Sequence, residues 1–130
     1  VASGEVHCWS VNLNTPPETS AALYATLTRD ERDRCARLPF EPDRRRFTVA
    51  RGVLRDLLGR YLGAQPCDIR FEYNPFGKPG LDPAFGSRLR FNLSHSGHLA
   101  LIAFAAGAEI GIDLEELRAQ PDFTEIARQF

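Results

Sequence analysis

The chain has 130 residues, 43% of them hydrophobic and 25% charged. That suits one domain with a real core and excludes a disordered or collagen-like chain. Sixteen basic residues against seventeen acidic ones leave a net charge of −1, which excludes a nucleic-acid binder that works by bulk positive charge. No apolar run approaches the roughly 18–20 residues of a membrane span, and no signal peptide is visible, so no membrane contact and a cytoplasmic location are expected. Cys8, Cys35 and Cys67 match no zinc or redox spacing and read as reduced thiols. The sequence has no Met, so its start is expected to be processed or trimmed.

In chain order, residues 6–13 predict a strand with His7, Trp9, Val11 and Leu13 on one face. Thr15-Pro16-Pro17 breaks it. A short helix is expected over 18–27. Thr28 followed by Glu31 forms a capping-box pattern that opens a second helix to about Arg37, ended by Pro39 and Pro42. Asp43 is the expected cap of the longest helix, 44–62, with Gly63 as its terminator. Phe47, Ala50, Leu54, Leu57, Leu58, Tyr61 and Leu62 recur at helical spacing, which predicts one buried stripe. Residues 69–73 predict a strand and 74–83 a loop rich in Gly and Pro. Three close strands follow, 88–94, 99–106 and 109–115, joined by short Gly-containing connections as an antiparallel meander. The middle one is apolar throughout, as a central strand would be. After Pro121 a helix is expected, with Asp122 as cap and Phe123, Ile126, Ala127 and Phe130 on its apolar side. It stops after about two turns, so the chain is expected to be cut or to continue on another chain.

Four features could carry chemistry. In Ile110-Gly111-Ile112-Asp113-Leu114-Glu115, strand alternation turns the isoleucines and leucine one way and Gly111, Asp113 and Glu115 the other. Two carboxylates roughly 6–7 Å apart on one strand face suit a hard cation such as Mg²⁺; a solvated strand face has the same pattern. Phe91-Asn92-Leu93-Ser94-His95-Ser96-Gly97 brings hydroxyls and an imidazole to a tight turn, where they can hold phosphate oxygens or simply satisfy the turn's own backbone. A Ser–His hydrolase is a weaker reading, since neighbouring strand side chains point apart and no G-x-S-x-G elbow is present. Residues 29–60 hold ten Arg against six acids, and residues 109–125 hold six acids against one Arg. Opposite patches of this kind suit a ligand with several phosphates and a divalent ion. Three arginines, Arg44 to Arg46, sit where a helix dipole disfavours cations. Finally, a chain with fifteen Arg keeps its one Lys in Phe76-Gly77-Lys78-Pro79. The loop is not a P-loop.

Taken in this order, Arg46 with Arg51, Gly77-Lys78-Pro79, Phe91 to Ser96 and Ile110 to Glu115 resemble the Sfp-type 4'-phosphopantetheinyl transferases. The resemblance covers essentially the whole chain from the first strand on. It implies an α+β (α/β) fold, an antiparallel sheet packed on a long helix, forming one lobe of a pseudo-twofold enzyme. Residues 1–117 would be the N-terminal lobe, and 118–130 a linker and the truncated start of the second. The implied activity moves the phosphopantetheine arm of coenzyme A to a serine of an acyl or peptidyl carrier protein, releasing adenosine 3',5'-bisphosphate. Such carriers serve fatty acid, polyketide or nonribosomal peptide biosynthesis. Under the resemblance Asp113 and Glu115 become Mg²⁺ ligands, Ser94 and His95 phosphate contacts, and Lys78 a ligand near the adenine and phosphates. Arg46 becomes the residue at the 3'-phosphate, and Arg34 a further basic contact. His95, Asp113 and Glu115 would be the catalytic set. The family's third motif, an acidic residue followed by a lysine on a helix of the second half, is absent. The C-terminal half of the same protein is therefore an expected partner, and the isolated chain should bind coenzyme A weakly and catalyse little. The alternative is a non-catalytic coenzyme A or carrier-protein binding module.

Overall fold

The capping box expected at Thr28 forms: the Thr28 hydroxyl accepts from the Glu31 backbone N–H, and the Glu31 carboxylate accepts from the Thr28 backbone N–H at 2.9 Å. This helix belongs to a computed structural model that describes residues 5–106 and 124–129. The described elements run β1 (Glu5–Asn12), α1 (Pro17–Tyr24), α2 (Arg29–Ala36), α3 (Glu41–Leu62), β2 (Phe71–Tyr73), β3 (Pro79–Leu81), β4 (Leu89–Ser96), β5 (Leu99–Ala106) and β6 (Thr124–Gln129). The mixture of helices and strands is the α+β class. The expected strand over 109–115, and with it Asp113 and Glu115, lies outside the described residues.

The chain divides into two units. One comprises Val11–Ile69 with Gly97–Ala100 and carries the three helices. Here α3 starts earlier than expected. Its cap is Phe40, with no side-chain hydrogen bond, and Pro42 and Asp43 both lie in the first turn. Proline suits that position because its fixed φ is already helical and its missing N–H has no partner there to lose. Pro42 thus opens α3 rather than closing α2, and Asp43 favours the positive end of the helix dipole without capping it. Gly63 ends α3 as expected, in the left-handed region at φ 67°. The burial is broader than one stripe. Residues 48–55 are all buried, Arg51 and Arg55 among them. At Gly52 a Cβ would stand 2.6 Å from the Leu23 Cβ, so α1 seats against α3 where that side chain is missing.

The other unit comprises Arg70–Ser96 with the described parts of 1–10 and 101–130. Its larger sheet has the order β4-β5-β1-β6. Strands β4 and β5 are joined by the two-residue turn Gly97-His98, so they run antiparallel, as expected of the meander. Ile102, Ala103, Phe104 and Ala105 are buried in succession on β5, which has a neighbour on both sides. The same holds for Val6, His7 and Cys8 on β1, so the expected single buried face of that strand gives way to burial on both. Phe91 packs edge-on against Phe71 at 5.9 Å and lies 6.4 Å from Phe104.

Two further expectations are corrected. Residues 124–129 form a strand rather than a helix, and β6 pairs in parallel with β1, from Glu5 opposite Thr124 to Ser10 opposite Gln129. An isolated two-turn helix is marginal in water. The free edge of β1 offers a full ladder of backbone partners instead, so pairing overrides the local apolar spacing. The loop expected over 74–83 contains β3, antiparallel to β2 with Tyr73 opposite Pro79. Asn74 makes that hairpin possible. Its side-chain oxygen accepts from the N–H groups of Phe76 and Lys78, both at 2.9 Å. Its backbone N–H donates to the Lys78 carbonyl at 3.0 Å.

Candidate functional site

In the helical unit the arginine-rich segment sorts into committed and uncommitted cations. Glu31 is 3% exposed. Its carboxylate accepts from Arg51 Nη1 on one oxygen and from Arg55 Nε on the other, each at 2.7 Å. Burial pushes the Glu31 carboxyl up, but hydrogen bonds from Arg55, the Thr28 backbone and Arg51, with the charge of Arg55, outweigh it and hold its pKa below the ordinary value. Arg55 also donates through Nη1 to the carbonyls of Pro66 and Ile69, at 2.9 and 2.7 Å. Its guanidinium therefore ties α3 to both α2 and the turn after α3. The Arg51 Cζ lies 5.3 Å from the centre of the Phe47 ring.

Arg51, nominated with Arg46 as a ligand contact, is thus held by a buried carboxylate. Arg34 and Arg46 differ from it. Arg34 is exposed and touches the Phe47 ring from 5.6 Å. Arg46 is half-buried, and among the described residues its Nε has no hydrogen-bond partner. Neither makes an ion pair among the described residues. Arg44 donates to the Leu38 carbonyl at 2.8 Å, and Arg45 faces Glu41 one turn back at 3.6 Å.

In the sheet unit, Lys78 sits at the end of the β2–β3 hairpin with its backbone N–H and carbonyl both tied to Asn74. Gly77 before it takes φ 80°, a conformation that side chains disfavour. Lys78 helps to line a cavity of about 440 Å³ with Tyr73, Asn74, Pro79, Arg90 and Phe91. Among the described residues its ammonium makes no ion pair. Arg90 was not singled out from the sequence. The signal for it was the alternation on β4: Leu89 and Phe91 are buried while Arg90 between them is exposed, so it shares the polar face with Asn92 and Ser94. Ser94 and His95 are both exposed near the end of β4, just before Gly97 turns the chain at φ 59°. They present opposite sides of the strand, which rules out the geometry of a Ser–His nucleophilic pair within this strand.

A larger cavity, about 730 Å³, lies among α1, α2 and α3 and is lined by Tyr24, Arg32, Cys35, Arg44, Arg45 and Thr48, among others. Of the cations singled out from the sequence it includes Arg44 and Arg45, but not Arg34, Arg46, Arg51 or Lys78. The described residues hold no cluster of three or more His, Cys, Asp or Glu side chains fit for a metal. Cys8, Cys35 and Cys67 are free thiols. No described helix is long and apolar enough to cross a membrane.

The Glu31 cluster was also missed. Its signal is present: two arginines four apart, Arg51 and Arg55, inside a helix segment otherwise apolar on that side. Such a pair needs a buried acid.

The family model for "4'-phosphopantetheinyl transferase, N-terminal" matches residues 14–107. The chain is 47% identical over 129 residues to the 4'-phosphopantetheinyl transferase HetI of Nostoc sp., covering 98% of this chain and 54% of that protein. It is 30% identical to the phosphopantetheinyl transferase of Thraustochytrium sp., over 86% of this chain and 38% of that one. It is 29% identical to the 4'-phosphopantetheinyl transferase Sfp of Bacillus subtilis, over 87% and 48%. The chain spans about half the length or less of these relatives.

Proposed function

Because the chain belongs to the 4'-phosphopantetheinyl transferase family through its N-terminal region, we propose that the complete protein modifies carrier proteins. It transfers the 4'-phosphopantetheine group of coenzyme A to a serine of an acyl or peptidyl carrier protein, and adenosine 3',5'-bisphosphate leaves. The carriers belong to fatty acid, polyketide or nonribosomal peptide synthesis. The sheet, mixed rather than antiparallel as expected because β6 runs parallel to β1, and the long helix belong to one lobe of a pseudo-twofold enzyme, with the C-terminal half of the same protein supplying the rest. Cysteines that form no disulfide suit a reducing, cytoplasmic setting.

The observation that supports this most is the family match over residues 14–107, and the pairing of the cations agrees with it. Arg34, Arg46 and Lys78 make no ion pair among the described residues, while Arg51 and Arg55 are held by Glu31. Like most described cations outside the Glu31 cluster they carry no fixed countercharge, so they are available to a polyphosphate.

The reaction needs charge neutralisation and alignment rather than a covalent group on the protein. The carrier serine oxygen attacks the phosphorus that bears pantetheine, and its proton is released to water. The bond from that phosphorus to the bridging oxygen breaks, and the oxygen leaves with the nucleotide. Arg46 holds the 3'-phosphate and Arg34 adds charge beside it. Lys78, on its Asn74-braced hairpin, meets the adenine end and phosphates. Ser94 and His95 hold pyrophosphate oxygens. Arg51 supports these contacts through its pair with Glu31. Asp113 and Glu115 form a donor set of two carboxylates, which is what Mg²⁺ takes alongside phosphate oxygens and water. When bound, the ion neutralises charge on the pyrophosphate.

The test is conversion of an apo carrier protein to its holo form by the complete protein, read by mass. Addition of the phosphopantetheine mass in the presence of coenzyme A and Mg²⁺ is expected, and its loss in Asp113→Ala. Full activity in Asp113→Ala would sink the metal assignment. Tight coenzyme A binding with no turnover would favour the binding-module alternative.

A further inference from the structure

We propose that Glu31 is a positioning residue for phosphate recognition: its buried carboxylate fixes α2 on α3 and thereby sets Arg34 beside the segment of α3 that carries Arg46. This rests on the function proposed above. The contacts form a closed circuit inside the helical unit. Glu31 and Arg34 are one turn apart on α2, so they lie on one face. Arg51 and Arg55 are one turn apart on α3 and meet the two oxygens of Glu31, each at 2.7 Å. Phe47, one turn before Arg51, takes the Arg51 guanidinium at 5.3 Å and the Arg34 guanidinium at 5.6 Å. Arg46 is the residue before Phe47.

Arg34 is exposed and makes no ion pair among the described residues. Its recorded contact is the ring that Arg51 also occupies. Glu31 holds Arg51 on one side of that ring and cancels charge that would otherwise repel Arg34. Neutralising Glu31 leaves two buried guanidinium groups with one carboxylate fewer. The cheapest relaxation is for Arg51 to move toward solvent past Phe47, which displaces Arg34. A side chain remote from the ligand would then change ligand affinity through Arg34 alone.

That dependence is what the experiment reads. In the complete protein, Glu31→Gln, Arg34→Ala and the double variant are compared by KM and kcat for coenzyme A. Binding of adenosine 3',5'-bisphosphate is measured by calorimetry, and folding by circular dichroism at the assay temperature. We expect Glu31→Gln to raise KM about tenfold with little change in kcat, since only a positioned contact is lost. We expect Arg34→Ala to do the same, and the double variant to be no worse than either single change. Glu31→Asp keeps the charge but shortens the reach; it is expected to recover part of the loss. If Glu31→Gln does not fold, the same cycle is run on Glu31→Asp. A folded Glu31 variant with unchanged KM and bisphosphate affinity overturns the proposal, as do two single effects that multiply independently. A wild-type protein that binds neither coenzyme A nor the bisphosphate overturns the function itself, and this inference with it.

Discussion

Replacing Arg55 with Met tests the energetic account of the helical unit most directly. Arg55 is 2% exposed. Methionine fills much of its volume but offers no donor. The hydrogen bonds lost include one to the Glu31 carboxylate at 2.7 Å and two to the carbonyls of Pro66 and Ile69. The buried Ile69 carbonyl and the part-buried Pro66 carbonyl lose that donor, and among the described residues Glu31 keeps its ion pair with Arg51. Breaking a buried ion pair by removing one partner costs about 3–5 kcal/mol. The lost backbone contacts add about 1–3 kcal/mol for each acceptor that finds no water. With one acceptor left dry, a destabilisation of about 4–8 kcal/mol follows, a large part of the roughly 5–15 kcal/mol that holds a domain together. With a urea slope of about 2 kcal/mol/M, the midpoint falls by about 2–4 M. Arg55→Lys keeps the charge, but one ammonium cannot span the carboxylate and both carbonyls as the planar fork does; it should lose about half as much. Arg60→Met is the control. Its side chain is 62% exposed and pairs with Asp56, so it should shift stability by no more than about 0.5 kcal/mol. An Arg55→Met variant as mild as Arg60→Met would refute the assignment of Arg55 as the central tie of α3.

Gly52→Ala gains about 1 kcal/mol of helix propensity, but the new Cβ meets Leu23 Cβ at 2.6 Å. Overpacking of about 1–3 kcal/mol wins, so the melting temperature should fall; a rise would show that α1 yields freely. Stability against acid should depend on Glu31, whose folded pKa is lowered. Its contribution is complete above the unfolded carboxylate range, near about 4.3, and is lost as pH falls through the lowered folded value. The gap in urea midpoint between wild type and Glu31→Gln should therefore close on acidification, and a widening gap contradicts this. Thr28→Ala removes half of the capping box and should cost about 1 kcal/mol by chemical denaturation. Phe76, 95% exposed at the hairpin tip, should tolerate Ser within about 0.5 kcal/mol; a larger loss would mean that it packs against something.

The elements that were legible in the sequence are those whose determinants lie within a few residues. The Thr28–Glu31 box, the Gly63 terminator and the apolar run of β5 each carry their own physical cause, and each forms as expected. Two boundaries failed for a local reason as well, because Pro42 and Asn74 act as a helix opener and a hairpin brace where a breaker and a loop were expected. The candidate phosphate contacts Lys78, Ser94 and His95 stood out because residue type and spacing are themselves the signal.

Partner choice across the fold was decided only in three dimensions. Residues 124–129 have an apolar spacing that suits a helix, yet they pair with β1 because a strand edge far back in the chain offers their backbone a ladder. Arg46 and Arg51 are the same residue type on the same helix, five positions apart. Nothing in the local pattern says that one keeps its guanidinium uncommitted while the other is held by Glu31, twenty residues earlier. A sequence shows which charges exist. Burial and distance decide which of them are already neutralised and which remain for a ligand, because the Coulomb energy of a pair depends on how close its members come and how much water lies around them.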